Sequence, residues 1–187
     1  MLEFFITKLM GSQWEMKNKA LNRGGIYLKL YSYLQNRHGS SIAHDSTFKS
    51  PPCFPHGIKS IFISGGARIG DNCVLFQQVT IGSNTLIDSK GFGAPTIGDS
   101  CYIGAGAKII GNVTIGNNVR IGANAVVFRD VPDNSLVVGT GKVIPKEQQN
   151  NRFYSYPGKW VYFDKGTFVD ETNKANLDTL EGYRKGK

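Results

Sequence analysis

The 187-residue chain has no apolar run near the length of a membrane span, and its opening stretch MLEFFITKLMGSQWEMK lacks the small-residue cleavage pattern of a secretory signal. A cytoplasmic location is the expectation. Cysteine is scarce and odd in number: Cys53, Cys73 and Cys101 have no metal-ligand spacing, which argues for reduced thiols and against a disulfide framework or a metal site. Only three histidines occur, His38, His44 and His56, so few side chains can exchange a proton near neutrality. The net charge of +8 is moderate and spread along the chain. No nucleic-acid motif accompanies it, so nucleic acid is set aside; a phosphorylated small molecule, an acidic glycan or peripheral contact with an anionic membrane surface remains compatible.

What the chain does have is a six-residue repeat. Ile97, Ile103, Ile109, Ile115, Ile121 and Val127 each open a hexad, and a smaller apolar residue follows four places on at Cys101, Ala107, Val113, Val119, Ala125, Val131 and Val137. Helical periodicity would need apolar residues three and four apart, and the many Gly and β-branched residues weaken a helix further. A fixed short period marks a solenoid, in which each unit buries its apolar side against its neighbours. Three six-residue sides per turn give a triangular coil whose backbone pairs with the coils above and below at about 4.8 Å. The same phase runs upstream through Ile63, Ile69, Leu75 and Ile81, with Ala67, Cys73, Val79 and Thr85 at the fifth places. Cys73 and Cys101 hold the same place one coil apart, where they read as small core fillers.

The interval from Ile81 to Ile97 is sixteen residues, so ten are inserted; a loop over 87–96 leaves the prism there. Residues 1–41 read as a helical cap, with Gly24-Gly25 between two short helices. The prism covers 42–145. Its first coil is irregular: Ile42, Phe48 and Phe54 keep the spacing, but Phe54 to Ile63 is nine, so three extra residues bulge out just after His56. Residues 146–187 read as an irregular C-terminal cap or tail. Its aromatics Phe153, Tyr154, Tyr156, Trp160, Tyr162 and Phe163 suit a cap or subunit contact, or a glycan platform. The polar stretch from Glu171 reads as loose. The fold expectation is mainly β, a parallel β-helix of triangular coils with an N-terminal helical cap.

The motifs Gln77-Gln78-Val79-Thr80-Ile81-Gly82, Ile103-Gly104-Ala105-Gly106-Ala107-Lys108-Ile109-Ile110-Gly111, Ile121-Gly122-Ala123-Asn124-Ala125-Val126-Val127 and Asp130-Val131-Pro132 resemble the hexapeptide-repeat acyltransferases. Within that family the pattern is similar to the serine acetyltransferase branch and the related capsule and O-antigen polysaccharide O-acetyltransferases. The resemblance implies a left-handed parallel β-helix; the left hand comes from it alone, because the general crossover rule favours the right. The resemblance also implies acetyl-CoA as co-substrate and a homotrimer with the CoA between neighbouring prisms.

Acyl transfer from a thioester to a hydroxyl needs a base, and a neutral imidazole suits that task. His56 occupies the place of the family's catalytic His. Taking Phe54, Leu75, Ile103 and Ile121 as openers on one side puts His56, Gln77, Ala105 and Ala123 two residues later, in one column along an edge. The resemblance implies CoA contacts at Ala105 and Ala123, adds Gly82, and makes Lys142 the basic residue after the last coil, with Lys146 and Arg129 as alternatives. His56 and Gln77 are the catalytic candidates. No metal is expected.

Three departures bear on the acceptor. The family's Arg-His pair at the end of the loop, which holds an amino-acid carboxylate, corresponds to Gly93 and Ala94; the Asp before the catalytic His is Pro55; and the Asp that orients that His falls near Ser41, with Asp45 close by. Without a guanidinium, a carboxylate loses its charge-assisted partner. The expectation is therefore acetylation of a sugar hydroxyl in a surface polysaccharide or its precursor. The alternatives are a serine O-acetyltransferase with an altered acceptor pocket, an amino-sugar N-acetyltransferase, and a catalytically silent glycan-binding solenoid.

Overall fold

The structure, a computed structural model, describes residues 12–186. Residues 1–11 of the expected cap lie outside the described residues. Helix α1 (Gln13–Arg23) begins at Ser12, whose hydroxyl accepts the Glu15 N–H while Glu15 accepts the Ser12 N–H, a reciprocal cap. Gly24 and Gly25, at φ 57° and 53°, turn the chain into α2 (Gly25–Arg37). The two helices pack through Met16, Ala20, Tyr31 and Leu34. They are fastened to the first coil, where the Tyr31 hydroxyl donates to the Ile42 carbonyl at 2.8 Å and the Lys17 ammonium donates to the carbonyls of His44 and Ser46. Among the described residues no helix is long and apolar enough to cross a membrane.

The hexads form three parallel faces. Face one stacks β1 (Ser41–Ile42), β4 (Phe62–Ile63), β7 (Thr80–Gly82), β10 (Lys108–Ile110) and β13 (Val126–Val127). Face two stacks β2 (Thr47–Phe48), β5 (Arg68–Ile69), β8 (Thr96–Ile97) and β11 (Thr114–Ile115). Face three stacks β6 (Val74–Leu75), β9 (Tyr102–Ile103), β12 (Arg120–Ile121) and β14 (Ser135–Val138), with β15 (Lys142–Pro145) turned back antiparallel on β14. The openers lie in register, Ile63 beside Ile81, Ile109 and Val127 on face one, and Leu75 beside Ile103, Ile121 and Val137 on face three. Their side chains, with the small fifth-place residues other than Thr85, which is exposed in the inserted loop, make one continuous core. Cys73 and Cys101 stack in it, each thiol donating to a carbonyl of the next coil, Gly98 at 3.3 Å and Gly116 at 3.2 Å.

The corner between faces two and three carries a ladder of side chains. Asp99 accepts the Asp71 N–H at 2.8 Å, Asn117 accepts the Asp99 N–H at 2.8 Å, and Asp133 accepts the Asn117 N–H at 2.7 Å. Each corner N–H that the turn leaves unpaired thus finds an acceptor one coil along. The Lys49 ammonium bonds Asp99 at 2.9 Å.

Beyond the prism the chain is more ordered than its composition suggests. Strands β16 (Tyr154–Ser155), β17 (Val161–Asp164) and β18 (Thr167–Asp170) make an antiparallel meander, and α3 (Lys174–Lys185) follows, in place of a loose tail. Phe163 is buried with Cys53 and Val74, and Phe153, Phe76 and Tyr102 pack around them, so the meander sits on the outer side of face three. Glu171 ties helix to sheet, accepting the Tyr154 hydroxyl at 3.0 Å, the Asn173 N–H at 2.8 Å and the Asn176 amide at 2.9 Å.

Ile103 is fully buried mid-stack, so Ile103→Ala should cost about 2–5 kcal/mol in urea unfolding, while Phe62→Ala, at an outward position, should cost far less. Comparable losses would mean that the core is not where the register puts it. The Lys49 hydrogen bond, then the Asp71 N–H, hold the Asp99 carboxyl below its ordinary pKa. Its contribution is therefore complete above the ordinary carboxylate range and lost as pH falls through the depressed value. Asp99→Asn should flatten the acid limb of a melting-temperature versus pH curve; an unaltered limb would remove Asp99 from it.

Candidate active site

The corner between faces three and one is where the candidate residues meet. Backbone bonds define its column: Gln77 accepts the Gly106 N–H at 3.0 Å, and Ala105 accepts the Asn124 N–H at 2.8 Å, so Gln77, Ala105 and Ala123 stack as expected. The first member differs. Lys59, not His56, accepts the Gln78 N–H at 3.1 Å and so takes the place beneath Gln77. The three extra residues include His56 itself: β3 (Pro55–Ile58) bulges at the corner, closed by the Gly57 N–H donating to the Phe54 carbonyl at 3.0 Å with Gly57 at φ 70°. Ile58 anchors the bulge in the core, and the His56 side chain is exposed beside the column.

What orients His56 is aromatic. Its ring meets Phe76 edge-on, centroids 5.7 Å apart, and Phe76 is backed by Tyr102 at 5.1 Å and Phe153 at 6.2 Å. Asp45 stands between β1 and β2, at the corner of faces one and two, against Gly65. It is on a different edge from His56 and does not replace the missing orienting carboxylate.

The column has unspent hydrogen-bonding groups. Among the described residues the N–H groups of Ala105 and Ala123 enter no backbone hydrogen bond, and the Gln77 side-chain oxygen is buried without a partner. Gly104 lies close beneath, where an added Cβ would come 2.7 Å from the Ala123 nitrogen. Gly106, at φ 72°, sits under Asn124, so the corner tolerates only hydrogen there. Lys108, which sequence reasoning did not single out, donates to the Gln78 and Gly106 carbonyls at 2.9 and 2.7 Å and holds two coils of the corner together.

The remaining candidates divide. Above Ala123 the chain turns at Thr140-Gly141 and returns through Lys142, which pairs with Val138 at the top of face three. The far side of that turn borders a hollow of about 260 Å³ with Phe128 and Arg129, whose guanidinium lies 5.2 Å from the Phe128 ring. Gly82 lies on the same edge of face one as Phe128, two coils below, since Gly82 is in register with Ile110 and the next coil continues it. Lys146 is at the opposite end of β15 from Lys142, about 13 Å along the strand, bonded through its N–H to Asn134, and does not join this group. Gly93 and Ala94, at the end of the inserted loop, pack on the corner of faces one and two, beside Asn112 and Gly66. The loop begins to leave the prism at Ser83, where Asn84 and Gly93 bridge antiparallel, earlier than the expected 87. A larger hollow, about 340 Å³, lies at the corner of faces two and three, but its Asn151 and Gln149 amides are already bonded to corner carbonyls.

Residues 94–129 match the bacterial transferase hexapeptide (six repeats) family model. The chain is 43% identical over 126 residues to the serine acetyltransferase of Mycobacterium tuberculosis, covering 65% of this chain and 53% of that protein. It is 46% identical over 92 residues to that of Staphylococcus xylosus, covering 49% and 41%. Among solved structures, the Neisseria gonorrhoeae serine acetyltransferase superposes with a TM-score of 0.65 at 27% identity, covering 74% of this chain and 52% of that one. Its complex with serine gives 0.59 at 30% identity, covering 71% and 53%. The chain spans about half the length of the curated relatives it matches, or less. These relatives are serine acetyltransferases, which overturns the expectation of a polysaccharide O-acetyltransferase. The lack of a guanidinium at Gly93 and Ala94, on which that expectation rested, bears on one cation at one corner and not on the whole site. Coil, repeat and relatives together make this chain similar to the hexapeptide-repeat transferases, with serine acetyltransferase homologues.

Proposed function

We propose that the chain is an acetyl-CoA-dependent serine O-acetyltransferase with an altered acceptor pocket, working as a homotrimer in which the His56 corner of one copy faces a neighbour. The observation that carries the reading is an exposed imidazole at the lower end of a column whose Ala105 and Ala123 N–H groups are unspent. The serine acetyltransferases at 43–46% identity support the choice of acceptor.

The column suits an extended pantetheine arm. From Lys59 to Ala123 it rises three coils, about 14 Å, with methyl groups at Ala105 and Ala123 leaving room for the chain. Lys142 and Arg129, flanking the Thr140-Gly141 turn at the upper end, are suited to the nucleotide phosphates; Lys146 is not. Acetyl-CoA, when bound, supplies an activated thioester.

His56 takes the hydroxyl proton as the serine oxygen attacks the thioester carbonyl, then returns it to the departing thiolate. The Ala105 N–H and the amide N–H of the Gln77 side chain donate to the carbonyl oxygen as negative charge develops on it. Transfer is direct. All three thiols are buried in packed cores and none lies on the column, so none is placed to form an acyl-enzyme.

His56→Ala should lower kcat by at least about a hundredfold with the thermal transition retained. Near-normal turnover of serine by that variant would take His56 out of the mechanism. Ala123→Phe should weaken CoA binding about tenfold or more in a calorimetric titration; wild-type affinity would move the pantetheine off this column.

A further inference from the structure

We propose that Lys59 is the cation that receives the carboxylate of the amino-acid acceptor. The inference rests on the serine reading above. Serine brings a carboxylate to the site, and a desolvated carboxylate needs a charged donor.

The bulge that carries His56 also sets Lys59 on the corner. Its carbonyl accepts the Gln78 N–H at 3.1 Å, and Ser60 follows at φ 53°, as Gln78 does at 62° and Gly106 at 72° one and two coils higher. Lys59 is therefore one coil, about 4.8 Å, beneath Gln77 and three residues from His56. Its side chain is exposed and, among the described residues, enters no hydrogen bond or ion pair. Among the described residues no acidic residue shares the corner: the column and its neighbours are Gln77, Gln78, Ala105, Gly106, Ala123 and Asn124 above Lys59, and His38 below it, whose carbonyl accepts the Ser60 N–H at 3.1 Å.

Four other cations are spent or distant. The Lys108 ammonium is engaged by two carbonyls. Arg68 belongs to face two, in register with Thr96. Lys142 and Arg129 stand at the upper end, beyond the third step of the column. Lys59 alone among these combines an unspent charge with the base's end of the column, where its four-carbon stem lets the ammonium swing toward an acceptor held against His56. It is a specificity-determining residue, outside the proton transfer itself.

The test compares L-serine with serinamide, which keeps the hydroxyl and amine but has no carboxylate, in wild type, Lys59→Gln and Lys59→Arg. Loss of a contact made equally in ground and transition states raises KM with little change in kcat. Lys59→Gln should lower the serine-over-serinamide ratio of kcat/KM by about tenfold, chiefly through the KM for serine, and Lys59→Arg should recover most of it. The KM for acetyl-CoA is read in parallel. A variant that keeps the wild-type ratio, or in which the acetyl-CoA KM rises instead, overturns the role of Lys59 while leaving serine as acceptor. A wild-type protein that acetylates neither compound overturns the serine reading, and this inference with it.

Discussion

Each coil of the prism hands its backbone N–H groups to the carbonyls of the next, and the spacing of that ladder governs the molecule. It brings Leu75, Ile103, Ile121 and Val137 into one buried row and repeats the same corner at every level. A corner must turn the chain within four residues, which calls for left-handed backbone at Gln78, Gly106 and Asn124 and brings side chains and N–H groups of successive coils into columns. The candidate site is such a column with an exposed imidazole beside it. Regularity supplies the groove, and one interruption of regularity supplies the imidazole.

That interruption is well supported. The bulge over Pro55–Ile58 is held from within by Ile58 and by the turn at Gly57. From outside, Phe76 meets the imidazole and transmits the packing of Tyr102 and Phe153. The C-terminal meander therefore reaches the candidate site through a chain of aromatic contacts, which gives Phe153 a place near the imidazole that its position in the chain conceals. Ring packing fixes where the imidazole lies without adding a charge beside it, unlike an orienting carboxylate.

Much of this was legible in the residues. The aliphatic phase from Ile63 to Val137 survives the inserted loop intact, because a solenoid core tolerates no drift, so faces, register and the stacked thiols could all be counted. The column could be counted at Gln77, Ala105 and Ala123. It failed at His56 because counting forward from Phe54 runs into the insertion; counting back four places from Ile63, as from Ile81 to Gln77, lands on Lys59. Phe76 and the meander were hidden for a different reason: outward-facing side chains such as Val74 and Tyr102 carry no period that names their partner. The acceptor was misread because a missing Arg-His pair at the loop was given more weight than the site as a whole.

The most direct measurement is a crystal structure of the protein with CoA bound. The pantetheine should lie along Ala105 and Ala123 with its sulfur at the His56 end and its phosphates toward Lys142. CoA seated at the corner of faces two and three, among Asn72, Ser100 and Asn118, or running with its sulfur away from His56, would contradict the account.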